Sequence, residues 1–152
     1  REVVLEICRD ADAKTVTKGK SMITEEMGLN DYLQEKGVEP IETDLGEYII
    51  QLAHEYPSHI IAPALHKTKD QVTELFHESH EKYGFKERQT DPQALVNEAR
   101  SILRDKFVAA DVGITGANFL IAETGSTVIV TNEGNGDLTK ALPKTHIADA
   151  SI

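Results

Sequence analysis

Lys14-Thr15-Val16-Thr17-Lys18 runs through Gly19-Lys20-Ser21-Met22-Ile23 into Thr24-Glu25-Glu26. The β-branched centre of the first five residues predicts a strand. Thr24 followed by two acids predicts the start of a helix, with Leu29, Tyr32 and Leu33 as its apolar stripe and Gly37 as its stop. The alternation then repeats. Val38 to Thr43 reads as a second strand. Asp44 with Glu47 opens a helix carrying Leu45, Tyr48, Ile49 and Leu52 on one face, closed by Pro57. His59-Ile60-Ile61-Ala62 reads as a short buried strand. Thr68 and Gln71 form a capping box before Val72, Leu75, Phe76 and Tyr83, with Gly84 as the stop. Strands alternating with helices predict βαβ units and a largely parallel sheet.

Outward from this region, Asp91 as cap and Pro92 at the first helical position open a helix with Leu95, Ala99, Ile102, Leu103 and Phe107 on one side. Val112 to Thr115, Phe119 to Ala122 and Thr127 to Thr131 are three close β runs, and Glu123-Thr124-Gly125-Ser126 joins the last two as a hairpin turn. Asn132-Glu133-Gly134-Asn135-Gly136-Asp137 reads as a loop too polar for a core, and Thr145 to Ala150 as a final strand. The fold class is therefore α/β, a mostly parallel sheet flanked by helices plus a C-terminal hairpin. Residues 1–152 are expected to form one domain: a leading helix over 1–13, βα units over 14–83, a helix over 91–109 and a β-rich part with the hairpin over 111–150. Val4, Ile7 and Cys8 share a helical face from the first residues, and the chain opens without methionine, so it is expected to be a segment of a larger protein.

The 152 residues suffice for one core, and 39% hydrophobic with 28% charged residues is a soluble globular composition without a spanning helix. Lys and Arg number 16 against 26 Asp and Glu, a net charge of −10. That is the wrong sign for neutralising a phosphate backbone, so nucleic acid is not an expected partner. One cysteine, Cys8, can build neither a disulfide framework nor a four-thiolate metal site, and fits a reducing, cytoplasmic setting.

Lys18-Gly19-Lys20-Ser21 lies between strand and helix, where amides and ammonium groups can hold an anion; a plain solvated turn is the alternative. The phosphate cradle of a nucleotide site is excluded, because its first glycine would fall on Lys14. His66-Lys67 stands at the expected carboxyl end of the third strand, the side on which open α/β sheets bind ligands. His77 and His80 have a chelating spacing, but His77-Glu78-Ser79-His80-Glu81-Lys82 reads more simply as an exposed face. Glu123 could act as base or nucleophile if partly desolvated. The candidate cleft thus brings Lys18, Lys20, Ser21 and His66 against Thr115, Asn118, Glu123, Thr124, Gly125, Asn132 and Asn135, with a small carboxylate as ligand and no metal.

Lys18 to Glu26, Glu42-Thr43-Asp44-Leu45-Gly46-Glu47-Tyr48-Ile49, Ser58 to Ala64 with His66-Lys67-Thr68, and Ala110 to Ser126 continuing to Gly136 closely resemble the LUD domain of lactate-utilization iron–sulfur proteins. The resemblance covers nearly the whole chain. It implies a fold related to the NagB, ribose-phosphate isomerase and CoA-transferase group. It also implies a place in a cytoplasmic system that oxidises L-lactate to pyruvate with electron transfer, alongside other lactate-utilization subunits. Such proteins carry 4Fe–4S clusters in a ferredoxin-like part outside this domain; Cys8 matches no cluster motif, so no cofactor is expected in this fragment, which alone is expected to be inactive. Glu123-Thr124-Gly125 is similar to the Glu-Asn-Gly context of the CoA-transferase nucleophile, which gives the alternative of an acyl or CoA-type transferase acting through Glu123; a non-catalytic docking domain is a third reading. Asp149 departs from the apolar final strand that the resemblance implies.

Overall fold

Val16 and Lys18 point to one side of their strand and Thr17 and Gly19 to the other, so a single five-residue run sets both faces of the sheet. The computed structural model describes residues 1–19, 21–59, 61–131 and 133–150. In chain order the elements are α1 (Glu2–Asp10), β1 (Thr15–Gly19), α2 (Met22–Glu26), α3 (Leu29–Glu35), β2 (Glu39–Glu42), α4 (Leu45–Ala53), α5 (Lys69–His80), α6 (Pro92–Ala109), β3 (Val112–Gly116), β4 (Phe119–Ile121), β5 (Ser126–Val128), α7 (Asn135–Ala141) and β6 (Thr145–Asp149). They fall into two compact units, residues 1–43 with 106–152, and residues 44–105.

The first unit holds a parallel four-stranded sheet, ordered β2-β1-β3-β6, and the antiparallel hairpin β4–β5. The parallel α/β fold with a hairpin is thus as the alternation predicts. On one face Val16, Val112 and Ile114 pack with Leu5 and Cys8 of α1 and Leu29 and Leu33 of α3, all buried. The other face carries α7. Gly113, paired with Thr17, lies so close beneath that helix that a Cβ there would stand 1.9 Å from the Thr139 carbonyl oxygen. The 132–137 stretch is therefore not a loop throughout. Asn135 and Gly136 begin α7 and are buried, because a backbone without side-chain bulk is what this close approach needs.

Helix boundaries differ where a cap competes. Ser21 and not Thr24 caps α2, its Oγ accepting the Thr24 N–H at 3.1 Å. Gly28, in the left-handed region, separates α2 from α3. At the opposite end of β1, the Asp111 carboxylate accepts the backbone N–H groups of Lys14 and Thr15 at 2.8 and 2.9 Å and the Thr15 hydroxyl at 3.1 Å. The Thr15 and Lys14 N–H groups hold its carboxyl below the usual carboxylate range. Its stabilisation is therefore complete above the unfolded value of about 3.9 and is lost as pH falls through the folded value. Asp111→Ala should cost about 2 kcal/mol at neutral pH, from orphaned strand-start amides. The gap between wild type and variant in urea titrations should close in acid; a gap unchanged in acid would contradict this role.

In the second unit, α5 begins with the expected Thr68–Gln71 capping box, complete in both directions. α6 begins with Asp91 accepting the Ala94 N–H at 2.9 Å, and Leu95, Ala99, Ile102 and Leu103 are buried along it; its last residues, with buried Phe107, belong to the first unit. The strand expected at His59 to Ala62 is not there. His59, Ile61 and Ala62 lie in a loop, and Ile60 is outside the described residues. The His59 Nδ1 accepts the N–H groups of Ile61 and Ala62 at 3.1 and 3.3 Å, which commits to a turn the donors a strand would use. Ile61 is left 86% exposed.

His80 is not on an exposed face. It is fully buried against Phe76, with Nε2 3.0 Å from the Tyr48 hydroxyl and Nδ1 2.7 Å from Glu98 Oε1. Burial pulls the imidazole below its ordinary value in spite of Glu98, and burial pushes the Tyr48 phenol well up. A neutral ring thus donates from Nδ1 to Glu98 and accepts the Tyr48 O–H at Nε2. No helix among the described residues is long and apolar enough to cross a membrane.

Candidate functional site

Parallel strands end on one edge, so the residues after β1, β3 and β6 are brought side by side. In register, Gly19 lies beside Thr115, and Gly116 beside Asp149. Ser21 donates a short hydrogen bond to Asp149 Oδ2, and the Ala117 N–H donates to the Asp149 carbonyl at 3.0 Å. The expected meeting of the 18–21 segment with the β-rich part is thus made through Asp149, which the candidate set omitted. The acid that interrupts an otherwise strand-like run was the available signal. Its second oxygen, Oδ1, is buried without a hydrogen-bond partner among the described residues.

The other expected residues divide between the two faces. Thr115 is buried and faces the α7 side, its Oγ1 2.9 Å from His146 Nε2. Burial and then Lys140 hold that imidazole below its ordinary value. Asn135, 8% exposed at the start of α7, has neither amide atom hydrogen-bonded among the described residues, and the buried hydroxyls of Thr17 and Thr139 are likewise without partners there. By strand alternation, Lys18 and Asp149 point to the opposite side.

Lys18 does not offer a free cation to an anion. It is 2% exposed, with its ammonium 2.7 Å from Glu42 Oε1, 3.0 Å from Glu25 Oε1 and 2.8 Å from Asn30 Oδ1. Asn30 Nδ2 also donates to Glu42 Oε1 at 2.6 Å. Burial opposes the charge, but the Glu42 and Glu25 carboxylates outweigh it and hold the ammonium above its ordinary value. A lysine in mid-strand with its acids 7 and 24 residues away has no local signature of such a role. Lys20 and Asn132, also expected in the cleft, lie outside the described residues.

Asn118 anchors the hairpin: its N–H donates to the Val128 carbonyl at 2.8 Å and its Oδ1 accepts the Val130 N–H at 2.7 Å. The turn is as the spacing predicts, with Gly125 at φ +68° and Thr124 Oγ1 donating to Ser126 Oγ at 2.8 Å. Glu123 is exposed, so the partial desolvation that a base or nucleophile would need there is absent. Phe119, Leu120 and Ile121 of the hairpin are also exposed.

His66 belongs to the second unit, on a loop and not at a strand end. Its Nε2 lies 2.7 Å from Glu55 Oε2, and its Nδ1 2.8 Å from Ser58 Oγ. Lys67 pairs with the other Glu55 oxygen, and the hydrogen bonds from Lys67 and then His66 hold the Glu55 carboxyl below its usual range.

No group of three or more His, Cys, Asp or Glu among the described residues is placed to hold a metal. An iron–sulfur cubane needs about four thiolates. Cys8 is the one cysteine of the chain, buried in the α1 core with its thiol pushed up by burial, so these residues do not fit a cluster.

A family model described as LUD domain matches residues 1–152. The chain is 53% identical over 143 residues to lactate utilization protein B of Bacillus pumilus, covering 93% of this chain and 29% of that protein. It is 52% identical over 145 residues to lactate utilization protein B of Bacillus subtilis, covering 95% and 29%. It is 47% identical over 145 residues to an Escherichia coli protein named uncharacterized electron transport protein YkgF, covering 95% and 30%. The chain thus spans about 30% of the length of these relatives. No solved structure matches it significantly.

Proposed function

Since this chain belongs to the LUD domain family, we propose that it serves lactate utilization, as the domain of an iron–sulfur protein that takes part in oxidising L-lactate to pyruvate with other subunits. The observation that carries this reading is the identity of about half of all residues, over nearly the whole chain, to proteins named for lactate utilization. The name of the Escherichia coli relative supports the electron-transport part. Because this chain supplies one buried thiol, the electron carriers belong to other parts of the system, and the domain's own contribution is to hold a small carboxylate or a partner at the carboxyl edge of its sheet, where the Asn135 amide on the α7 side has no hydrogen-bond partner among the described residues.

The test is a chimera in which this chain replaces the matching segment of the Bacillus subtilis protein in a strain lacking it. Growth on L-lactate should return. A chimera that accumulates folded and leaves the strain unable to use lactate would overturn the reading. Glu123→Gln in the same chimera separates the transferase alternative. The exposed turn predicts a stability change of about 0.5 kcal/mol. If Glu123 is a nucleophile or base, the chimera's rate should fall on the order of 100-fold, about 2.7 kcal/mol of barrier; a rate near wild type removes Glu123 from the chemistry.

A further inference from the structure

The second unit contains two ladders of the same make, carboxylate to imidazole to hydroxyl. Glu98–His80–Tyr48 is sealed, with each member at most 6% exposed, and packing explains it. Glu55–His66–Ser58 is open: the imidazole is 36% and the carboxylate 42% exposed. Stability does not explain the open ladder, since an exposed ion pair contributes roughly 0–1 kcal/mol and ordering two long side chains costs entropy. We propose that Ser58 and His66 form a nucleophile–base pair for acyl transfer, positioned by Glu55 and acting on an activated ester or thioester.

The geometry gives each group its part. With Nε2–H donated to Glu55, the imidazole keeps its lone pair on Nδ1, directed at the Ser58 hydroxyl. The competing acceptor, the Pro63 carbonyl, is farther from that hydroxyl, at 3.1 Å against 2.8 Å, and far less basic. The Ser58 N–H donates to the same Pro63 carbonyl at 3.1 Å, so the main chain fixes the nucleophile. Nucleophile and base within hydrogen-bond reach, with the base oriented by a third group, is the arrangement that activates a weak hydroxyl nucleophile. The same loop exposes Tyr56, Ile61 and Leu65, at 85%, 86% and 71%, as apolar contacts for an acyl group.

In the step, Ser58 Oγ bonds to the acyl carbon while its proton passes to His66 Nδ1. The bond from that carbon to the alkoxide or thiolate leaving group breaks, and His66 returns the proton to it. Water, deprotonated by the same nitrogen, then releases the acid and restores Ser58. No electrons are exchanged with a second reactant.

The experiment is to treat the folded chain with a fluorophosphonate, which phosphonylates activated serines, and to map the adduct by peptide mass. One adduct per chain is expected, on Ser58. His66→Gln and Ser58→Ala, each checked for an unchanged melt, should slow labelling by at least about 100-fold. Glu55→Gln should slow labelling with an unchanged melt and Glu55→Asp should restore it, which a merely structural residue would not do. No adduct under conditions that label a known serine esterase would overturn the proposal. So would an adduct on another serine, or labelling of His66→Gln at the wild-type rate. The wild-type adduct, its site and its stoichiometry decide the matter even if a variant misfolds. The assay contains no lactate, so its outcome stands apart from that of the lactate reading.

Discussion

Replacing Gly113 with alanine is expected to destabilise the first unit by at least about 3 kcal/mol and to loosen α7 from the sheet. Two opposing effects are in play. Alanine reduces the freedom of the unfolded chain, a gain of about 0.4–1 kcal/mol where the native site tolerates it. Here the added Cβ would meet the Thr139 carbonyl oxygen at 1.9 Å, the Thr139 carbonyl carbon at 3.0 Å and the Pro143 ring at 3.3 Å. The first two are main chain and cannot rotate away, so the helix must move. Overpacking that shifts backbone costs about 1–3 kcal/mol and sometimes more, and this overlap stands at the severe end. Urea unfolding should show the lower midpoint, and amide exchange should speed up along Asn135–Ala141. A Gly113→Ala midpoint near wild type would mean that α7 does not rest on β3 as described. Gly125→Ala provides the comparison: the strain of its positive φ, on the order of 1 kcal/mol, should be the smaller loss.

Lys18→Met is expected to cost about 3–5 kcal/mol, because it removes the buried ammonium that lies 2.7 Å from the carboxylate of Glu42, itself 4% exposed. Lys18→Met with Glu42→Leu should recover at least about 2 kcal/mol of that, since an apolar pair of similar bulk removes the buried carboxylate along with the ammonium. If the single and double variants are equally unstable, the ion pair is not what the site needs. The pH dependence gives a second reading. The folded value of Lys18 is raised, so its stabilisation is fully present below the unfolded value of about 10.4 and is lost as pH rises through the folded value. Wild type should lose stability in that alkaline window and Lys18→Met should not. Glu42 is held above its ordinary value by burial, against the pull of Lys18. Without Lys18 it rises further, so the variant's deficit should shrink as acid protonates Glu42.

The elements legible in the sequence are those whose signals are local. Asp91 and Pro92 mark the start of α6, Thr68 and Gln71 that of α5, and Gly125 the hairpin turn, because capping and turn chemistry act within about four residues. The β-branched runs at 14–18 and 112–115 predicted strands for the same reason, and the alternation of strands with helices predicted the parallel sheet.

The candidate site was legible only in part. Ser21, Thr115, Asn118 and Asn135 do lie at or beside the carboxyl ends of the strands, but Glu123 is exposed and Lys18 is locked in an ion network. His66 lost its strand because His59 ties the local amides into a turn. His80 read as a surface residue because its partners Tyr48 and Glu98 stand 32 and 18 positions away. What the sequence alone determined was the kind and order of the elements, since those follow from backbone preferences and periodicity. Which polar groups are buried, and whether each ends as a structural ion, a spent hydrogen bond or an open reactive group, only the tertiary structure decided. The cost of desolvating a charge or an amide is offset by partners that the fold brings in from up to 128 residues away, as Ser21 and Asp149 are, and short-range pattern carries no record of them.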